Sequence, residues 1–348
     1  MKIAKGLGDF FGLDIGTNAV RVVQLARSGA GWSLLKYGYA PIDAKLAGSD
    51  SAESRRRLGE VIMTAVGQAG IKTVNVAVGL PSSKTFSTVV DVPKVSEQEL
   101  KSMMKYQIDQ YIPTPLDETE VDWALLGDSL RVANQYEVLL TSTAKDYAEQ
   151  RLEMIESIGF NVIAEEPDQI AMIRSLSLND TQDARLIIDM GENSSDLAVI
   201  YAGMPRLVRT IPLGLSSLVR SGVQNLSVQE DQARQFILKF GLAPDRLDGQ
   251  VVRAIDSTLD NFASEINKSL KFFQTRYESI AVTGILLSGF GASIPQLDSY
   301  ISNKTNVQVN LANPWQRVQV PASYQQQISP IANEFAVAIG LAQRSNLK

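Results

Sequence analysis

Three glycine-bearing turns hold the residues best able to do chemistry. Asp14-Ile15-Gly16-Thr17-Asn18 closes one short apolar run, and Asp189-Met190-Gly191-Glu192-Asn193-Ser194-Ser195 closes another. The third turn is Ser288-Gly289-Phe290-Gly291-Ala292-Ser293. Glycine lets a backbone approach a ligand closely, and successive N–H groups in such a turn form a nest for an anion. Thr17, Asn18, Asn193, Ser194 and Ser195 add side-chain donors. Asp14 and Asp189 are hard oxygen donors of the kind Mg²⁺ takes. Taken singly, an Asp-x-Gly turn is usually only a turn, because both residues are favoured there. Two matched copies and a third turn together suit a polyphosphate, with both aspartates converging on one Mg²⁺ and the third turn behind a ribose. No G-x-x-x-x-G-K-[ST] occurs, which excludes a P-loop. No G-x-G-x-x-G follows a strand, which argues against a dinucleotide fold.

The composition narrows the chemistry further. The 348 residues include no cysteine and no histidine. Disulfides, thiol nucleophiles, Ser-His-Asp triads and Cys/His zinc sites are therefore all excluded. Any acid or base must be a carboxylate, lysine or tyrosine. With 33 Lys plus Arg against 38 Asp plus Glu, the formal net charge is −5 and no basic tract stands out, so nucleic acid is not an expected partner. Residues 1–11 do not read as a signal peptide, and no run approaches the roughly 20 apolar residues of a spanning helix. The chain reads as soluble and cytoplasmic, long enough for about two domains.

The elements that must position the three turns are legible as a repeat. After Asp14, runs at 20–25 and 32–39 are joined by Gly29-Ala30-Gly31; after Asp189, runs at 197–201 and 207–211 are joined by Gly203-Met204-Pro205. Each is a β-meander, and each is followed by helical sequence, which predicts two homologous α/β domains. Ser96 and Glu99 form a capping box for a helix ended by Pro113 and Pro115. Apolar residues spaced by three and four predict a long helix from Val251 to Phe273, and an alanine-rich helix spans 333–344. Further strands are expected at 74–78, 86–90, 121–126, 136–141, 186–188, 285–287 and 307–309. The segment between the first meander and Val74 reads as short and polar.

Four stretches carry a family resemblance: GLDIGTNAVRVVQL from Gly12, QYIPTPLDE from Gln110, LSGFGASIPQL from Leu287 and AVAIGLAQR from Ala336. The order of phosphate loop (11–23), connecting segment (163–176), phosphate loop (186–199), adenosine loop (285–297) and connecting helix (331–341) resembles the actin-like ATPase superfamily. Within it the chain is similar to the PilM family of type IV pilus assembly proteins across nearly its whole length. It is less similar to FtsA, whose members end in a basic amphipathic membrane helix; this chain ends at Asn346-Leu347-Lys348.

That resemblance implies an actin-like, duplicated ribonuclease H-like fold of two domains with an inserted 1C subdomain. Subdomain 1A would take 1–83, 164–184 and 331–348, and 1C would take 84–163. Subdomain 2A would take 185–225 and 281–330, and 2B would take 226–280. It implies ATP and Mg²⁺ in an interdomain cleft, with Asp14 and Asp189 positioning the metal. Gly16, Thr17, Asn18, Gly191, Asn193, Ser194 and Ser195 would meet phosphates, and Gly289, Gly291 and Ala292 the nucleoside. Glu265 and Lys268 resemble an adenosine-contacting E-x-x-K, and are equally well read as a solvated ion pair. Glu166, beside Glu165, lies where relatives carry a water-orienting glutamate. The family's usual first loop, D-I-G-S-S-S-V-K, is altered here to Thr17, Asn18, Ala19 and Arg21, with Arg21 expected as a structural residue of the next strand.

The implied partners are the N-terminal cytoplasmic tail of PilN, other inner-membrane pilus components and the pilus motor ATPases. Tyr111, Ile112 and Pro113 would line the groove for the tail, the alternative being that Tyr111 and Ile112 simply pack inward. Two roles follow: an ATP-binding adaptor held at the membrane through its partner, or an ATPase, FtsA-like or kinase-like, whose turnover is its main activity.

Overall fold

The computed structural model describes residues 9–43, 46, 49, 51–177 and 183–344; Asn346-Leu347-Lys348 and part of the 48–53 loop lie outside them. The chain divides into two compact units, Met1–Arg174 with Val337–Lys348, and Ser175–Ala336.

In the first unit, β1 (Phe11–Ile15), β2 (Ala19–Ser28) and β3 (Gly31–Pro41) form an antiparallel meander. β4 (Asn75–Leu80) then lies parallel to β1, and β8 (Asn161–Pro167) parallel to β4, giving the order β3-β2-β1-β4-β8. All five residues of β1 are buried, as a central strand covered on both faces requires. The segment expected to be short and polar instead contains α1 (Ala52–Ala69). Its N-cap Ser51 accepts from the Ser54 amide, Gly70 closes it at φ 67°, and Leu58, Ile62, Ala65 and Val66 face the sheet. The apolar stripe is obscured in the sequence by an outer face of charge, where Glu53 pairs with Arg56 and Arg57.

A three-stranded antiparallel layer is inserted after β4: β5 (Thr85–Pro93), β6 (Thr119–Asp128) and β7 (Gln135–Ala144), in the order β5-β7-β6. Helix α2 (Glu97–Gln107) covers it, started by the expected Ser96/Glu99 capping box. This layer has its own core of Val92, Leu100, Met104, Ile108, Ile112, Val138 and Leu140. Helix α3 (Lys145–Ser157) returns to the larger sheet, where Met154 and Ile155 join the core of β1 and β4. Helix α4 (Asp168–Leu176) follows β8.

The second unit repeats the plan. β9 (Ala184–Met190), β10 (Ser195–Tyr201) and β11 (Met204–Ile211) form the meander, β12 (Val282–Gly289) lies parallel to β9, and β13 (Val309–Leu311) completes the order β11-β10-β9-β12-β13. Between β11 and β12 stand α5 (Leu215–Leu226), α6 (Glu230–Phe240) and the long α7 (Gln250–Arg276). The last buries Val251, Ile255, Leu259, Phe262, Ile266 and Phe273 along one stripe, as their spacing predicts. Helices α8 (Leu297–Thr305), α9 (Ala322–Ile328) and α10 (Ala336–Ala342) close the chain. Inside the first unit, α10 packs on α4 so closely that a β-carbon at Gly340 would run into the Ala171 carbonyl. Among the described residues no helix is long and apolar enough to cross a membrane.

Candidate functional site

The first turn joins β1 to β2 and is closed by the Gly16 amide donating to Ala19 O at 3.1 Å. The pairing register sets Asp14 directly opposite Arg21. Both are 5% exposed, and the Arg21 guanidinium reaches back into the turn. Nη1 stands 3.4 Å from Asp14 Oδ2, and Nη2 donates to Asn18 Oδ1 at 2.9 Å. A β-carbon at Gly16 would lie 2.8 Å from Nη1. Arg21 therefore sits on the strand, as expected, but its charge belongs to the turn. Thr17 and Asn18 remain half-exposed.

The second turn, between β9 and β10, is braced from one side by the start of α5. The Leu215 amide donates to Gly191 O at 3.0 Å, and the Ser216 amide to Glu192 O at 2.8 Å. In a trans peptide the C=O and the following N–H point in opposite directions. With the carbonyls of Gly191 and Glu192 drawn to α5, the amides of Glu192 and Asn193 are aimed away from it, as an anion nest needs. The Glu192 side chain is tied to Arg234 of α6, with Nη1 to Oε2 at 3.1 Å. Asn193 is exposed and accepts from the Ser216 hydroxyl at 3.1 Å; Ser194 is half-buried. Ser195 departs from expectation: it is fully buried and its hydroxyl donates to Leu213 O at 2.6 Å, so it braces the turn rather than facing outward.

The third turn lies beside the second, because β12 pairs with β9 in the register Ser288 to Asp189 and Gly289 to Met190. Both turns thus stand at the carboxyl ends of neighbouring parallel strands, the usual ligand position in such sheets. Gly289 adopts φ 63°, and a β-carbon there would meet Met190 O and approach Asp189 Oδ1 to 2.7 Å. Gly291 serves packing: it is buried, and a β-carbon would press on Leu287 Cδ1 at 2.7 Å. Ala292 follows in the same short 3₁₀ turn.

Glu265 and Lys268 are joined at 2.6 Å, and Arg209 of β11 also donates to Glu265 at 2.6 Å while reaching Ser269 Oγ at 3.0 Å. Arg209 is the member of this cluster that sequence spacing does not reveal, since it comes from a strand 56 residues away. Glu166 is 6% exposed, and its oxygens accept from Arg174 at 2.5 and 2.8 Å and from Arg344 at 2.6 Å. Arg174 also donates to Gly340 O at 2.7 Å. The carboxylate expected to orient a water is thus held by two guanidinium groups. Ile112, expected in a partner groove, is 7% exposed within the core of the three-stranded layer, and Tyr111 packs partly against that core. The inward alternative holds for Ile112, and of the three residues only Pro113 is exposed.

Neighbouring Glu165 lies on the outer strand β8. Burial pushes its carboxyl up to about 7, opposed by Arg151 and reinforced by Glu120 and Glu156. The unfolded chain therefore loses this proton first as pH rises, so stability falls between about pH 4.5 and 7 and levels off above. Glu165→Gln should abolish that slope and leave the protein roughly 1–3 kcal/mol more stable at pH 8, measured by urea unfolding across the pH range.

These features fit a nucleotide and a hard cation. In the second unit, Gly289 leaves a cradle that a β-carbon would fill, the turn after β9 aims the Glu192 and Asn193 amides away from α5, and Asp189 is an oxygen donor beside them; in the first unit, Asp14 is an oxygen donor that already faces Arg21. Among the described residues no cluster of three acidic side chains forms a ready-made metal cage. A bound Mg²⁺ would need to complete its shell with water and phosphate oxygens.

Comparison with known proteins decides the family. The pattern described as "Type IV pilus assembly protein PilM" matches residues 12–346. The chain belongs to the PilM family. A solved "PilM-PilN type IV pilus biogenesis complex" contains a similar chain, with TM-score 0.83 and 22% identity, covering 97% of this chain and 98% of that one. The ethanolamine utilization protein EutJ from Carboxydothermus hydrogenoformans has TM-score 0.56 at 13% identity, covering 97% and 89%. MreB5 of Spiroplasma citri, solved with AMPPNP, has TM-score 0.51 at 14% identity, covering 95% and 94%. The fold is the actin-like ATPase fold, as the order of loops implied, and the chain is an actin-like protein of type IV pilus assembly.

Proposed function

We propose that this chain is an ATP-binding adaptor of the pilus assembly machinery, using its glycine-bearing turns to hold Mg·ATP and a separate surface to hold the N-terminal cytoplasmic tail of PilN. Its subdomains would follow the family order: 1A (1–83, 164–184, 331–348), 1C (84–163), 2A (185–225, 281–330) and 2B (226–280). The observation that carries the nucleotide reading is the second turn, whose Gly191 and Glu192 carbonyls are drawn to α5, so that the Glu192 and Asn193 amides are aimed away from it. Asp189 beside it would orient the hydrated Mg²⁺, which supplies charge neutralisation of the phosphates. Gly289 would let the nucleoside approach the sheet. A similar chain occurs in a solved PilM–PilN complex, which supports PilN as partner. Tethering through that tail would bring the protein to the inner face of the membrane. Other pilus components and motor ATPases are the remaining expected contacts.

The engagement of Glu166 favours an adaptor over an enzyme whose purpose is turnover. A carboxylate spent on Arg174 and Arg344 is poorly placed to orient water. Titration of fluorescent ATP with Mg²⁺ should give saturable binding, and Asp189→Ala should weaken it roughly 10–100-fold, as loss of a metal-orienting carboxylate does. Wild-type affinity in that variant would end the assignment. Fast phosphate release without partner would favour the enzyme reading. A Pro113→Ala or Tyr111→Ala protein that captures a synthetic PilN tail at full affinity would remove this segment from the docking surface.

A further inference from the structure

The duplicated hairpins are alike in backbone and opposite in charge. In each, the residue seven positions after the aspartate lies directly across from it: Arg21 faces Asp14, and Asp196 faces Asp189. Directly opposed residues on a hairpin are close enough for charge to matter, favourably for opposite signs and unfavourably for like signs. The second hairpin therefore presents two carboxylates, one of them steadied by the Thr210 hydroxyl at 2.8 Å from Asp196 Oδ1. The first already contains a cation.

We propose that Arg21 is a built-in cation for Asp14, filling the first turn in place of a divalent ion, so that this hairpin takes a metal only after the guanidinium has left. The inference rests on reading this turn as part of a nucleotide site. Three observations carry it. The guanidinium is in the turn itself, where a β-carbon on Gly16 would come within 2.8 Å of it. It is held there on several sides, by Asp14, by Asn18 Oδ1, by Ala19 O at 3.4 Å and by the Tyr39 ring 5.5 Å away. The pair is desolvated, with side chains 6% and 7% exposed, so charge is weakly screened and a dication brought to Asp14 meets a fixed positive group. Arginine cannot relieve this by losing its proton. An anionic group entering over Gly16 is what could draw the guanidinium away, which makes the first turn a site for phosphate before it is a site for metal.

The test uses the nucleotide-free protein and Mn²⁺ alone, read by loss of the free-ion EPR signal at roughly millimolar concentration. Wild type and Asp14→Asn should take up equal Mn²⁺, because Asp14 contributes nothing while Arg21 covers it. Arg21→Gln should take up one further ion per chain, and adding Asp14→Asn should remove it. If Asp14→Asn lowers uptake in the wild-type background, or Arg21→Gln gains nothing, the proposal is wrong. Arg21→Met removes the charge but keeps an apolar stem, and serves if the glutamine variant fails to fold; it should show the same gain, and no gain there would be equally decisive. Arg21→Lys keeps a charge in the turn and should gain nothing, so an extra ion there would also overturn the proposal. Because no nucleotide is present, a chain that failed to bind ATP would still show whether Arg21 keeps metal from Asp14.

Discussion

Replacing Glu166 by alanine should cost about 3 kcal/mol of folding stability, read as a lowered urea midpoint at unchanged m-value. The carboxylate is 8% exposed on its side chain, against 29% for Arg174 and 16% for Arg344. Removing it leaves two guanidinium groups facing each other with no shared anion. The loss comes from that uncompensated charge more than from the bonds themselves. Arg174 keeps Gly340 O and some solvent, which holds the figure at the low end of the range for broken buried pairs. Glu166→Gln retains an acceptor but not the charge, and should fall between wild type and alanine. A Glu166→Ala protein unchanged in stability within about 0.5 kcal/mol, but altered in phosphate release, would return the residue to a water-orienting role.

Gly289→Ala is expected to damage the candidate site and the fold together. Its backbone lies at φ 63°, ψ −147°, a region essentially reserved for glycine. The added methyl would also meet the Met190 carbonyl and press on Asp189 Oδ1. Strain and clash together should cost about 3–4 kcal/mol. Because the obstacle includes backbone, it cannot be relieved by a side-chain rotation. ATP binding should be lost with it, since Asp189 and the third turn shift together. Gly291→Ala is the internal comparison. Its obstacles are side-chain atoms, of Leu287 and Met190, with no backbone atom among them, so the cost should be about 1–2 kcal/mol with nucleotide binding retained. Equal losses from the two substitutions would mean that Gly289 has no special place.

The fold is legible in the sequence wherever periodicity is local and strong. Both meanders, the Ser96 cap and the α7 stripe all stand where spacing puts them. Helix α1 escapes such a reading because charge crowds its first half, from Glu53 to Glu60, and Gly59 and Gly67 interrupt its apolar spacing. Strand β8 escapes it because Glu165 and Glu166 look like loop residues until their burial is known. In the candidate site, residue types and order along the chain are visible, but not how each polar group is spent. Ser195 reads as a phosphate donor until its hydroxyl is found on Leu213 O. Arg21 reads as a strand residue until the hairpin register turns it onto Asp14. The Arg209–Glu265 and Arg344–Glu166 pairs join residues 56 and 178 positions apart, which no local pattern announces.

The clamp around Glu166 also bears on the order in which the molecule can be completed during synthesis. The second unit is one continuous stretch, Ser175–Ala336, and can fold once that stretch has emerged. The first unit begins earlier but lacks α10 until residues after 336 arrive. Only then do Gly340 and Arg344 reach Ala171, Arg174 and Glu166. The part translated first is therefore the part finished last. A ribosome stalled with the chain emerged only as far as residue 336 should expose a folded second unit and a first unit still open to protease near α4.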